Sequence, residues 1–240
     1  MFVAAAGDLA ADHVVLRGQE GRHASTVRRL SAGERVDLTD GAGTVAQCVV
    51  TVAGQGELGL DVLDRHTVPR PQPLVTILQA IPKGDRGELA VELLTEAGVD
   101  VIVPWAAQRC VAVWRPDRAA KAGSRWASAA DQAAKQSRRT WFPEVRTQAD
   151  LAAATALIGS ADLAVLLDPD ATASLAGLEL PASGEIVLVV GPEGGISPAE
   201  TAAFGAAGAV AARLGPTVMR ASSAGVVAAA LVLSRTARWA

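Results

Sequence analysis

Short runs of aliphatic residues recur through the second part of the sequence, and they limit its fold more than any other feature. The four runs span residues 74–81, 99–105, 163–169 and 185–191. Each is apolar at nearly every position, as in strands that are covered on both faces. Helical periodicity separates them: Leu89, Leu93 and Ala97 are expected to form one apolar helix face, and a basic helix is expected after Pro116. This order predicts an α/β domain with a parallel sheet covered by helices.

The first 70 residues follow a different pattern, in which apolar and polar residues alternate between turn signals. Asp40, Gly41 and Gly43 lie between two such runs and predict a hairpin, and a second turn is expected at Gly54–Gly56. The pattern predicts a small β-barrel or sandwich-like domain over residues 1–70. The proline-rich stretch RHTVPRPQP, residues 65–73, is the expected linker to a second domain over residues 74–240.

Several functional classes are disfavoured by composition. No apolar run approaches the roughly 18 residues that cross a bilayer, and the N-terminus lacks the basic flank of a secretory signal. We therefore expect a cytoplasmic protein without a membrane partner. Cys48 and Cys110 have no spacing that indicates zinc, and we expect reduced structural thiols and no metal.

Charge is distributed unevenly along the chain. Residues 109–146 contain nine basic and three acidic side chains, a net charge of +6, whereas the whole chain has a net charge of −3. A basic segment on an otherwise acidic protein is typical of a surface that binds a polyanion such as RNA. A solvated helix surface without a partner is the alternative.

The loop GPEGG, residues 191–195, follows the last of the four aliphatic runs. Ser197 and Glu200 then form an S-x-x-E pattern with Pro198 at the first helical position, which predicts a helix start. The loop therefore lies at the carboxyl end of a parallel strand, where ligands of open α/β sheets bind. It matches neither phosphate-binding glycine pattern, and Glu193 would repel a phosphate. A nucleoside with a positive centre fits better, and a turn required only for packing is the alternative.

A second loop, LGPTVMRA, residues 214–221, leads into a helix rich in alanine and valine that we expect to be buried. Arg220 begins this apolar stretch and is expected to be at least half-buried. Such an arginine needs either a ligand or a salt bridge to a neighbouring carboxylate.

Together, GPEGGIS and LGPTVMRASSA resemble the paired C-terminal motifs of the SPOUT methyltransferases, in particular the family that methylates N3 of a uridine in bacterial small-subunit ribosomal RNA. Further similar segments lie upstream in the same order: HASTVRRLSAGERVDLTDGAG, QAIPKGDRGELAVELLTEAGVDVIVPW, QRCVAVW and AAKQSRRTWFPEV. The resemblance implies an N-terminal PUA-like β-barrel and a C-terminal SPOUT α/β domain with a trefoil knot. It also implies a homodimer, S-adenosyl-L-methionine as cofactor, and ribosomal RNA or the assembled 30S subunit as partner.

The resemblance also implies the site residues. Those expected to bind the cofactor are Leu167, Gly191, Pro192, Glu193, Gly194, Gly195, Leu214, Gly215, Val218, Met219, Arg220 and Ala221. Those expected to bind RNA phosphates are Arg28, Arg29, Lys83, Arg138 and Arg139. Arg220 is the expected catalytic residue, because its guanidinium can stabilise the oxyanion that develops on the uridine.

Two positions depart from the pattern of the family. Ser222 stands where the family has a glutamate, and Leu94 stands near the place of its usual lysine. The general base is therefore open between Ser222, Glu193 and bulk water. An RNA-binding ribosome-assembly protein with weak or lost catalysis is a second hypothesis, and a nucleotide-binding oxidoreductase is a third that the missing dinucleotide fingerprint disfavours.

Overall fold

The computed structural model describes residues 1–54 and 56–239, with residue 116 described through its backbone only. The chain forms two compact units. The first unit contains Met1–Arg70 and Lys135–Phe142, and the second contains Pro71–Ala134 and the residues from Pro143 onward.

The first unit contains one five-stranded sheet. Its strands are β1 (Phe2–Val3), β2 (His13–Leu16), β3 (Arg35–Thr39), β4 (Thr44–Gly54) and β5 (Glu57–Thr67). They pair in the order β1-β3-β4-β5-β2, and only the β1–β3 pair is parallel. Two short helices, α1 (Ala6–Leu9) and α2 (Gly18–Arg22), accompany the sheet, and α2 continues into a π-helical turn over His23–Val27. In β4, alternate residues are buried, as the sequence predicts.

The predicted hairpin between β3 and β4 is confirmed. The Asp40 Oδ1 atom accepts hydrogen bonds from the backbone N–H groups of Ala42 at 2.8 Å and Thr44 at 3.0 Å. Gly41 and Gly43 have φ angles of 71° and 101°, which favour glycine. In the second predicted turn, Gln55 lies outside the described residues; β4 ends at Gly54 and β5 begins at Glu57.

The segment Lys135–Phe142 packs with the first unit, and in this respect the structure differs from a simple division at residues 65–73. The backbone N–H of Gly43 donates to the Thr140 carbonyl at 3.0 Å, and the Trp141 indole donates to the Val68 carbonyl at 2.9 Å. These contacts are distant in sequence, so local periodicity does not reveal them.

The second unit is built on a six-stranded sheet. Its strands are β6 (Leu74–Ala80), β7 (Val101–Trp105), β8 (Glu144–Val145), β9 (Leu163–Leu167), β10 (Glu185–Val190) and β11 (Val210–Ala212). They are all parallel and pair in the order β11-β9-β10-β6-β7-β8. The four strands predicted from aliphatic runs are confirmed as β6, β7, β9 and β10.

Helices cover both faces of this sheet. They are α3 (Arg86–Ala97), α4 (Pro116–Gln136), α5 (Leu151–Ser160), α6 (Pro198–Ala206) and α7 (Ala221–Leu233). Ile186, Leu188 and Val190 point into a core with α3, α4 and α7, whereas Val187 and Val189 point into a core with α5 and α6. This arrangement explains why the strands are apolar at nearly every position. In the part of the chain that the structure describes, none of the helices has the length and apolarity needed to span a membrane.

The predicted apolar face of α3 is wrong. Leu89 is 47% exposed, whereas Ala90, Val91 and Leu94 are buried. Small residues face the neighbours because those neighbours come close: a Cβ atom on Gly87 would lie 2.9 Å from the Trp126 indole. Leu94, which was expected near the place of the family's usual lysine, is therefore a core residue that packs toward α7.

Candidate functional site

A cleft opens at the carboxyl ends of β9 and β10 in the second unit, and its volume is about 640 Å³. The segments that follow β9, β10 and β11 form its walls. The residues that line it are Arg109, Leu166, Leu167, Asp168, Pro169, Asp170, Val190, Gly191, Pro192, Glu193, Gly195, Ile196, Thr201, Leu214, Gly215, Thr217, Val218, Met219, Arg220, Ala221 and Ala224. The structure thus brings together the residues predicted to bind a cofactor, with the exception that Gly194 does not line the cleft.

The first loop, residues 191–195, needs glycine for two separate reasons. Gly195 has a φ angle of 73°, a conformation that other residues rarely adopt, and its N–H donates to the Pro192 carbonyl at 2.9 Å. Gly194 lies against another segment: a Cβ atom there would come within 2.9 Å of the Arg109 carbonyl oxygen. The loop is therefore a tight turn held against residues 106–110.

The helix after this loop begins as predicted. The Ser197 side chain accepts a hydrogen bond from the Glu200 N–H at 3.3 Å, and Glu200 Oε2 accepts one from the Ser197 N–H at 2.9 Å. The second oxygen, Glu200 Oε1, accepts the Gln108 N–H at 2.7 Å. Because Glu200 is only 4% exposed, this carboxylate joins the start of α6 to the segment that carries Arg109.

Two polar side chains in the sheet hold the ends of the loops. The Trp105 indole donates to the Val190 carbonyl at 3.1 Å, just before the first loop. Gln79 Nε2 donates to the Ala221 carbonyl at 3.2 Å, at the end of the second loop. Sequence reasoning missed both roles, although Gln79 is a polar residue inside an aliphatic run and could have indicated one.

The second loop corrects the expectation for Arg220. This residue is exposed, not half-buried, and it occupies the N-cap position of α7. Of the carboxylates that the structure describes, none lies within salt-bridge distance of its guanidinium. Val218 is 82% exposed and Met219 is 36% exposed, so the loop presents apolar surface beside a free charge at the cleft. The predicted helix is confirmed as α7, which buries one face, including Ala228 and Val232, whereas Val227 is 38% exposed.

The cleft is lined by three carboxylates, of Asp168, Asp170 and Glu193, and by the guanidinium groups of Arg109 and Arg220. Glu193 Oε1 also accepts the backbone N–H of Lys83 at 3.3 Å, so Lys83 lies beside the first loop. An excess of carboxylates suits a cationic ligand better than a phosphate.

Neither thiol is suited to nucleophilic catalysis. Burial raises the pKa of the Cys110 thiol, and burial raises that of the Cys48 thiol to about 11. Both side chains are therefore held in the neutral form near pH 7. Across the described residues, no group of three or more His, Cys, Asp and Glu side chains is arranged to hold a metal ion.

Two of the four first-unit arginines predicted to bind RNA have an unusual backbone conformation. Arg29 and Arg138 have φ angles of 52° and 57°, in the left-handed region. Such strain costs roughly 1–3 kcal/mol and is concentrated at functional sites. Burial lowers the pKa of the Met1 amino group; the charge of Asp37 acts to raise this pKa, and the charges of Arg138 and Arg28 act to lower it. Arg139 is half-buried in the same segment.

A parallel sheet covered on both faces, with a glycine-rich loop and two arginines at the carboxyl ends of its strands, defines an α/β protein that binds a nucleoside-like ligand. The comparisons agree with this class. The sequence pattern of the RNA methyltransferase domain matches residues 69–233, and that of the RNA methyltransferase PUA domain matches residues 16–62.

Individual relatives give a narrower assignment. The ribosomal RNA small subunit methyltransferase E of Mycobacterium bovis is 45% identical over a match 236 residues long, and the match covers 94% of this chain and 87% of the relative. That of Bacillus subtilis is 26% identical, with 92% and 90% covered. The crystal structure of the Neisseria gonorrhoeae protein of this name, bound to S-adenosyl methionine, has a TM-score of 0.83 and 27% identity, and the match covers 93% of this chain and 92% of that one. The chain belongs to the ribosomal RNA small subunit methyltransferase E family.

Proposed function

We propose that this chain transfers a methyl group from S-adenosyl-L-methionine to N3 of a uridine in small-subunit ribosomal RNA. One observation carries the proposal: both motif loops and Arg220 line a single cleft, in a chain of this family. The hypothesis of a non-catalytic assembly protein is not favoured, since neither loop of the cleft is lost.

The residues of the cleft fit the cofactor. A volume of about 640 Å³ lies in the range of small-molecule sites, which is roughly 300–1,000 Å³. S-adenosylmethionine has no phosphate and carries a sulfonium cation, which suits a cleft that contains Asp168, Asp170 and Glu193. Backbone groups of residues 191–195 and 214–221 would hold the adenosine. When bound, the cofactor supplies an electrophilic methyl group.

The protein's own part in catalysis is to position the base and lower the cost of its deprotonation. The N3 proton of uridine has a pKa well above neutrality, so the negative charge that develops on the uracil oxygen needs a partner. Arg220 provides a guanidinium at the cleft that has no carboxylate partner among the described residues. Holding the two reactants in line can contribute roughly 7–11 kcal/mol. Glu193 and bulk water are the candidate proton acceptors at the cleft.

RNA binding is assigned to both units. Arg28, Arg29, Arg138 and Arg139 of the first unit, with Lys83 of the second, are proposed to contact phosphates. We further propose that the C-terminal segment forms a trefoil knot, that the functional protein is a cytoplasmic homodimer, and that its target is ribosomal RNA, free or within the assembled 30S subunit. Sedimentation equilibrium at micromolar protein tests the dimer, and an experimentally traced backbone tests the knot.

The direct test is mass spectrometry of small-subunit ribosomal RNA from a strain that lacks the gene. We expect N3-methyluridine to disappear and to return when the wild-type gene is restored. Arg220→Ala is expected to restore less than a hundredth of the wild-type methylation rate, since the loss of one oxyanion donor costs about 10²–10³ in rate. Arg17→Ala is the control, because Arg17 is already paired with Glu57 at 3.0 Å. Retention of N3-methyluridine in the deletion strain would refute the proposal.

A further inference from the structure

Arg109 lines the cleft but has no role in the site proposed above. It follows β7, and its backbone is fixed from two sides. The neighbouring Gln108 N–H donates to the buried Glu200 carboxylate at 2.7 Å, and the absence of a Cβ atom on Gly194 lets the first loop lie against the Arg109 carbonyl. Contacts with the buried Glu200 carboxylate and with the first loop therefore fix the backbone position of Arg109.

The Arg109 side chain, in contrast, is exposed and weakly engaged. Its Nη1 atom makes one long hydrogen bond, 3.4 Å, to the Gly194 carbonyl. Among the residues that the structure describes, its guanidinium has no salt-bridge partner. A guanidinium has five N–H donors in a fork that matches a phosphate or a carboxylate, so most of its capacity remains available to a ligand.

Electrostatics indicate which ligand this is. Three carboxylates and two guanidinium groups line the cleft, which gives its lining a net charge of −1. That balance attracts a cationic cofactor, but it repels an RNA strand that must bring a base to the same cleft. Without Arg109 the lining would have a net charge of −2, so this exposed guanidinium reduces the repulsion that the RNA meets at the cleft.

We propose that Arg109 binds a backbone phosphate of the RNA strand that presents the target nucleotide. This inference rests on the proposed function and gives the cleft a substrate anchor separate from Arg220 and from the arginines of the first unit. The cofactor's carboxylate is the other anion that Arg109 can meet, and the experiment separates the two.

The experiment measures two affinities of wild-type protein, Arg109→Ala, Arg109→Lys and the control Arg17→Ala. Titration calorimetry gives the Kd for S-adenosylhomocysteine. Filter binding over a series of salt concentrations gives the Kd for small-subunit ribosomal RNA from the deletion strain. For Arg109→Ala we expect RNA affinity to fall about tenfold. The slope of log K against log salt should become shallower by about 0.7, the value for one phosphate contact on a single strand. The Kd for S-adenosylhomocysteine should stay within about twofold of wild type.

Arg109→Lys should keep the wild-type salt slope, because a point charge still neutralises the phosphate. An unchanged RNA affinity and salt slope in Arg109→Ala would overturn the inference. A loss of affinity for S-adenosylhomocysteine alone would also overturn it, because the arginine would then bind the carboxylate of the cofactor. If the proposed function is wrong, the wild-type protein itself should bind neither S-adenosylhomocysteine nor the ribosomal RNA. That result would overturn both the proposed function and the role of Arg109. Binding of S-adenosylhomocysteine also reports that each variant is folded.

Discussion

The ion pair between Asp100 and Arg238 is expected to hold the C-terminal segment to the sheet of the second unit. The side chains are 4% and 8% exposed, respectively. The guanidinium makes a bidentate contact with the carboxylate and also donates to the Pro73 carbonyl at 3.1 Å and the Gly98 carbonyl at 2.7 Å. Asp100 Oδ2 accepts the Val75 N–H at 2.9 Å. Both charges are therefore compensated away from water.

Removal of one partner leaves the other charge buried, which costs about 3–5 kcal/mol of unfolding free energy. We expect Asp100→Asn and Arg238→Met each to fall in this range. In the double variant no buried charge is left, and the asparagine oxygen can still accept the Val75 N–H. Its cost should be only about 1–2 kcal/mol, because replacing a buried pair with uncharged groups is often nearly neutral. The coupling energy between the two side chains is then about 4 kcal/mol or more.

Urea unfolding followed by tryptophan fluorescence measures these values, since Trp105, Trp114 and Trp126 all belong to the second unit. The exposed pair of Arg125 and Glu88, which also lies in the second unit, is the control: its side chains are 64% and 40% exposed, so its coupling should be below about 1 kcal/mol. A coupling for Asp100 and Arg238 as small as that of the control would refute the reasoning, as would single variants that cost less than about 1 kcal/mol.

Two further predictions concern the first loop and the pH dependence of stability. Gly194→Ala should weaken the binding of S-adenosylhomocysteine about tenfold or more, as measured by calorimetry. The added Cβ atom would lie 2.9 Å from the Arg109 carbonyl oxygen and would displace the first loop. A wild-type affinity in this variant would contradict the reasoning. Burial raises the pKa of Cys48 from its ordinary 9.0 to about 11, so the folded state holds this proton more tightly than the unfolded state. The resulting stability is complete below pH 9.0 and is lost as the pH rises toward 11, by about 2–3 kcal/mol in total. Urea midpoints of wild type and Cys48→Ala across this range check it, and parallel curves would contradict it.

Local patterns were sufficient to predict the sheet of the second unit. Residues 186–190 are apolar throughout because successive residues of this strand, such as Ile186 and Val187, face different cores. The sequence itself therefore shows that both faces of the strand are buried. Ser197 and Glu200 were equally predictable, since a capping box depends only on residues three apart. That the two loops line the same site was predicted only from the family resemblance, because no local pattern in the sequence relates one loop to the other.

Contacts between distant segments account for the remaining differences. Leu89 and Leu93 suggested an apolar face on α3, but the approach of Trp126 requires a glycine at residue 87, and the buried face is rotated accordingly. Arg109 gave no signal as a cleft residue, because its placement depends on the carboxylate of Glu200, 91 positions later in the sequence. Arg220 was expected to share the burial of the helix that follows it. As the N-cap residue, however, it precedes the first buried position, Ala221.

The position of Ser222 changes what its departure from the family pattern means. A glutamate in this place would be a natural candidate for the base that accepts the uridine proton, and its absence suggested weak or lost catalysis. In the structure, Arg220, Ala221 and Ala224 line the cleft, whereas Ser222 does not. Residues three or four apart share a face of a helix, so Ala221 and Ala224 place the cleft on one side of α7 and residue 222 is rotated away from it. The substitution therefore removes no carboxylate from the cleft of this chain, which retains Glu193, and loss of catalysis does not follow from it.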